Sequence, residues 1–138
     1  MHEIKKINHI ALVVPDIQEA LGFWRDALGI DLDHIEQVPR EQSAVAFLPL
    51  GESEIELVQP TSLDSGVAKY LAKRGPGMHH ICLEVDDLAA MLANLKEKGV
   101  QLIHDTPVVK ADGRKYAFIH PKAAFGVLVE LYEVPGDE

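Results

Sequence analysis

Apolar and β-branched residues crowd positions 7–14 and stop at Pro15, a pattern that predicts a strand. Asp16 stands where a helix N-cap belongs, and Glu19 three residues on completes a capping-box pattern. Ile17, Ala20, Leu21, Trp24 and Leu28 follow at helical spacing, so one helix face is apolar, and Gly29 marks its end. Three more strands are expected at roughly 30–38, 43–50 and 53–59, with Gly51-Glu52-Ser53 as the turn between the last two. A helix over about 64–74, opened by Asp64 or Ser65 and closed by Gly75-Pro76-Gly77, leads onward.

The pattern then recurs. Residues 78–85 read as a strand and 87–98 as a helix with Leu88, Met91, Leu92 and Leu95 on one face, ended by Gly99. Strands are expected at about 100–105, 115–120 and 125–134. The recurrence extends to the residues themselves. Ile7-Asn-His-Ile-Ala-Leu-Val-Val-Pro-Asp16 matches Met78-His-His-Ile-Cys-Leu-Glu-Val-Asp-Asp87 at an offset of 71, with His9 on His80 and Asp16 on Asp87. Ile55-Glu56-Leu57 matches Val129-Glu130-Leu131 at an offset of 74. Each half therefore runs from a strand histidine to a strand glutamate, 47 residues apart in the first and 50 in the second. Matches at both ends, in the same order, mark an internal repeat. The expected fold is α+β: two tandem βαβββ modules, each with its helix on one side of a mostly antiparallel sheet. A single domain over 1–138 is expected, with module 1 at about 5–60, the connecting helix at 64–74 and module 2 at about 78–134.

Strand alternation assigns faces. Ile10, Leu12 and Val14 share the face that suits burial under the helix, which turns His9 to the other side. By the same count Ile81, Leu83 and Val85 face the helix and His80 points away. Glu56 and Glu130 each interrupt an apolar strand, and an unpaired buried carboxylate costs several kcal/mol. A metal ion would offset that cost. Two imidazoles and two carboxylates, one of each per module, suit Co2+, Mn2+, Ni2+, Zn2+ or Mg2+ and leave two adjacent octahedral positions for substrate oxygens. Glu54 shares a face with Glu56 and competes for its role. His79 reads as a hydrogen-bonded structural residue, and His2, His34 and His104 as surface or packing residues. Cys82 reads as core packing.

Length and composition add bounds. The chain has 138 residues, 47% hydrophobic and 25% charged, which is one domain of globular composition. Its net charge of −9 argues against nucleic acid and anionic membrane surfaces as partners. No apolar run approaches the roughly 18 residues of a membrane span, and the N-terminal segment lacks a signal-peptide layout. One cysteine permits no intrachain disulfide and fits a reducing compartment, so a cytoplasmic location is expected.

Paired modules with His and Glu at these positions resemble the vicinal oxygen chelate superfamily, over nearly the whole chain. Within it, several segments resemble the methylmalonyl-CoA epimerases. They include Asn8-His9-Ile10-Ala11, Glu56-Leu57-Val58-Gln59-Pro60, Gly77-Met78-His79-His80-Ile81, and His120-Pro121-Lys122 with Gly126-Val127-Leu128-Val129-Glu130-Leu131. The resemblance implies a curved sheet around a metal held by His9, Glu56, His80 and Glu130, with Co2+ as the first candidate. It further implies a methylmalonyl-CoA substrate, epimerised at C2 through an enolate, and a homodimer.

Glu130 resembles the carboxylate that does both metal and acid/base work. A second acid is needed. Some relatives carry one on the strand after Glu41, where this chain has none, so Glu41 or Glu56 is the candidate. Lys73, Arg74, Lys110, Arg114, Lys115 and Lys122 could meet the phosphates of CoA, with Lys122 favoured by its His-Pro-Lys motif. Three rivals stay open: a glyoxalase I-like lactoylglutathione lyase, an Fe2+ extradiol dioxygenase, and a non-catalytic small-molecule-binding protein of the same fold.

Overall fold

The computed structural model describes residues 3–136. His2 lies outside them. The chain divides into two compact units, one of His9–His79 and one of Met1–Asn8 with His80–Glu138. Strand β1, Ile4–Val13, runs through the boundary.

In the unit His9–His79, β1 is followed by α1 (Ile17–Leu21), β2 (His34–Val38), β3 (Ser43–Leu50), β4 (Ser53–Pro60) and α2 (Gly66–Arg74). The strand order is β2-β3-β4-β1. The β2–β3 and β3–β4 ladders are antiparallel and β1–β4 is parallel. The core gathers Leu21, Ala46, Leu48 and Leu57, all fully buried, with Ile10, Leu12 and Trp24 packed against it. Ile10 and Leu12 thus take the helix side, as alternation predicts. The Asp16 side chain accepts from the Glu19 amide at 3.1 Å and caps α1. The expected single helix to Leu28 changes character midway. After Leu21 it continues as a π-helix over Gly22–Ala27, with the Leu28 amide reaching back to the Phe23 carbonyl at 2.9 Å.

In the other unit, β5 (Gly77–Val85) leads to α3 (Leu88–Glu97), then β6 (Val108–Val109), β7 (Lys115–Ile119) and β8 (Val129–Glu133). Beyond the first residues of β1, the order is β5-β8-β7-β6. Here too two ladders, β6–β7 and β7–β8, are antiparallel and β5–β8 is parallel. Val85, Leu88, Leu92, Ala117 and Leu131 form its core. Asp87 caps α3 through the Ala90 amide at 3.0 Å.

The strand expected at 100–105 is corrected. Only an isolated bridge, Leu102 to Ile119, stands there, and the two-residue β6 follows later, at Val108–Val109. The amides of Ile103 and His104 both reach the Phe118 carbonyl, and the His104 ring Nδ1 accepts the Phe118 amide at 2.9 Å. A side chain occupies the place of a ladder carbonyl, and Pro107 removes a further donor. The last strand also starts later than expected, at Val129, because the turn after Pro121–Ala124 runs on through Phe125 and Gly126, both at positive φ. Among the described residues no helix is long and apolar enough to cross a membrane.

Candidate metal centre

The two modules place their His and Glu by the same register. In the parallel β1–β4 ladder, Ala11 is level with Glu56, so His9 lies two residues before the glutamate's level and on its face. In the parallel β5–β8 ladder, Cys82 is level with Glu130 and His80 lies two residues before it. The resulting contacts are alike. His9 Nδ1 is 3.3 Å from Glu56 Oε2, and His80 Nε2 is 3.0 Å from Glu130 Oε1. All four side chains are at most 15% exposed. Of the two glutamates sharing this face of β4, it is Glu56 that pairs with His9.

Those separations bear on metal binding. Neighbouring ligands of an octahedral ion with bonds of roughly 2.0–2.2 Å lie about 2.8–3.1 Å apart. Each His–Glu pair already stands near that spacing, and imidazole with carboxylate is a fitting donor set for a divalent first-row ion.

Two further residues of this face are Cys82, read from the sequence as core packing, and Glu84, which the sequence reading did not name. Cys82 is fully buried, belongs to neither hydrophobic cluster, and its Sγ lies within 4.8 Å of a Glu130 carboxylate oxygen. It occupies the level that Ala11 holds in the other module, so the signal was the repeat alignment itself. Glu84, on the His80 face of β5, is 7% exposed and accepts from Asn8 Nδ2 at 3.0 Å, with Lys5 Nζ at 3.6 Å. Its burial is neutralised by partners far away in sequence, which no local pattern reveals. Ser43 adds an anomaly. It falls on the face of β3 that excludes Ala44, Ala46 and Leu48, and its buried Oγ has no hydrogen-bond partner among the described residues.

The other candidates fall outside these pairs. Glu41 is exposed at the end of a 3-10 turn, Pro39–Glu41, just before Gln42, whose backbone is left-handed with φ 52°. His79 packs edge-on against Tyr70 at 4.8 Å. His34 is exposed, and hydrogen bonding to Asp33 at 2.6 Å raises its pKa. His120 caps its own turn, with Nδ1 accepting from the Lys122 amide at 3.0 Å. Among the cations, Arg74 lies over Tyr70, Lys110 over Tyr116 and Tyr132, Arg114 beside Asp112 and Lys115 beside Glu133. Lys122 is exposed and in no ion pair among the described residues.

Residues 8–118 match the family model of the Glyoxalase/Bleomycin resistance protein/Dioxygenase superfamily. That is the class to which paired modules and a His/Glu set on strands correspond. The mitochondrial methylmalonyl-CoA epimerase of Mus musculus is 38% identical over 130 residues, 94% of this chain and 73% of that protein. An ethylmalonyl-CoA/methylmalonyl-CoA epimerase of Cereibacter sphaeroides is 37% identical over 95% of this chain and 99% of its own. A methylmalonyl-CoA epimerase solved in complex with methylmalonyl-CoA and NH4+ superposes with a TM-score of 0.86 at 33% identity, covering 99% of both chains. The chain belongs to that superfamily and, within it, to the methylmalonyl-CoA epimerase family.

Proposed function

We propose that this protein is an isomerase that interconverts (2R)- and (2S)-methylmalonyl-CoA. The observation that carries the reading is the repeated His–Glu pair at one register, in a chain whose relatives bear that activity in their names. His9, Glu56, His80 and Glu130 would hold one divalent cation, which requires both modules to act as a single domain. Imidazole and carboxylate accommodate Co2+, Mn2+, Ni2+, Zn2+ and Mg2+, and Co2+ is the first to test.

Epimerisation needs the C2 proton removed and returned to the opposite face. When bound, the cation supplies positive charge against the oxygens on which the enolate's charge develops. The chain's own part is proton transfer and exclusion of water. Glu130 is 8% exposed, which limits the water competing for its carboxylate. Its carboxylate takes the C2 proton as general base. A second acid delivers a proton to the other face. Glu41, exposed and outside the His–Glu pairs, has the freedom to do so. Glu56 is the alternative. Lys122 meets the anionic CoA moiety. A cytoplasmic homodimer fits the single cysteine and the outer strands β2 and β6, which leave edges to cover.

The deciding experiment is turnover of (2R)-methylmalonyl-CoA by wild type and by Glu130→Gln. Loss of a general base lowers the rate by about 10²- to 10⁴-fold. A Glu130→Gln variant with full activity would sink the assignment.

A further inference from the structure

The turn that carries the His-Pro-Lys motif is built to hold an aromatic ring in solvent. Phe125 is 100% exposed, and its backbone is left-handed with φ 56°. That conformation is disfavoured for a bulky residue and normally left to Gly or Asn. The strain is fixed by a closed set of bonds. The Lys122 amide donates to His120 Nδ1 at 3.0 Å, the Ala123 amide to the His120 carbonyl at 3.0 Å, and the Gly126 amide to the Pro121 carbonyl at 2.8 Å. The fold gains no packing from the ring so presented.

The same turn, through Lys122 and Ala123, borders a cleft of about 340 Å³ whose other lining residues are Gly99, Val100 and Gln101. Lys122 borders this cleft, three residues from Phe125, and its ammonium is committed to no ion pair among the described residues. In a protein of net charge −9, a phosphate-bearing ligand needs such a local cation. An unpacked aromatic ring and an uncommitted ammonium carried on one tight turn are the chemistry that receives a nucleotide, by stacking and charge pairing together. The turn ends five residues before Glu130. That separation spans at most roughly 18 Å of chain, within reach of an extended pantetheine arm.

We propose that Phe125 and Lys122 form the subsite for the nucleotide end of the acyl-CoA substrate. Phe125 stacks on the adenine, and Lys122 pairs with a phosphate at the edge of the cleft. This rests on the acyl-CoA reading above, and two measurements separate the fates of the two.

The first is calorimetric binding of adenosine 3′,5′-bisphosphate to the whole protein. Wild type binds, and Phe125→Ala and Lys122→Ala each weaken binding by about 5-fold or more, the range for losing one base–aromatic stack. The second compares KM for methylmalonyl-CoA with KM for methylmalonyl-pantetheine, which lacks the nucleotide. In both variants the loss is confined to the nucleotide-bearing substrate, and Phe125→Trp, which keeps an aromatic ring, keeps the wild-type KM. Phe125→Gly, which relieves the backbone strain, behaves like Phe125→Ala.

Equal losses on both thioesters, or none on either, would overturn the subsite while leaving the reaction in place. Fragment binding without turnover of either thioester would keep the subsite and sink the reaction. An undiminished fragment affinity in Phe125→Ala, with weakened self-association, would overturn the subsite and reassign the ring to a contact between copies of this chain.

Discussion

Glu54 and Glu56 stand two residues apart on one face of β4, and their chemistry should differ sharply. Glu56 lies 3.3 Å from His9 and is 15% exposed at the side chain, whereas Glu54 belongs to no such pair among the described residues. Metal analysis after dialysis is therefore expected to show depleted metal in Glu56→Ala and a full complement in Glu54→Ala. Equal metal content in the two variants would contradict the assignment. Ser43 makes a different residue-scale prediction. Its buried hydroxyl lacks a partner among the described residues, and such a group costs about 1–3 kcal/mol. Ser43→Ala should raise the denaturant midpoint with the slope unchanged. A lowered midpoint would show that the hydroxyl holds a partner such as water. From the sequence, His9, His80 and Glu130 were legible because an imidazole or carboxylate inside an apolar strand needs a reason. Ser43 was not, because serine at the start of a strand needs none.

The elements repeat a second device three residues beyond each glutamate. Gln59 Oε1 accepts the Ile17 amide at 2.8 Å, and Glu133 Oε1 accepts the Leu88 amide at 2.7 Å. Each module thus ties its last strand to the first turn of its helix, where amides lack helical partners. Glu133 also sets negative charge at the N-terminal end of α3, which the helix dipole favours. Glu133→Ala should destabilise by about 1–3 kcal/mol in urea unfolding, more than Asp87→Ala at an ordinary cap, about 1 kcal/mol. The reverse order would mean the long-range tie carries little. The local cap at Asp16 was legible, since it depends on a neighbour three residues away, and the repeat alignment set Asp87 at the same place. The ties from Gln59 and Glu133 were not, since they depend on where a distant strand ends. The expected strand at 100–105 failed for the same reason. Its alternating side chains read as a strand, but the His104 ring takes over the Phe118 amide.

At the scale of the whole molecule, both units have their own hydrophobic core, and each holds one paired imidazole and carboxylate. An ion bound only by the folded protein stabilises it by mass action, so a chelator should lower Tm and added divalent metal should restore it. In Glu130→Ala that metal-dependent shift should shrink. An identical shift in the variant would place the ion elsewhere. The fold class was legible at this scale because the repeat doubled every weak local signal. The identity of the ion was not, because imidazole and carboxylate serve several metals alike.

The most direct test is exchange of the C2 proton of methylmalonyl-CoA in D2O, followed by NMR, with and without a chelator. Metal-assisted enolisation predicts rapid exchange that the chelator stops and a divalent metal restores. Absence of exchange in folded, metal-loaded protein would contradict it.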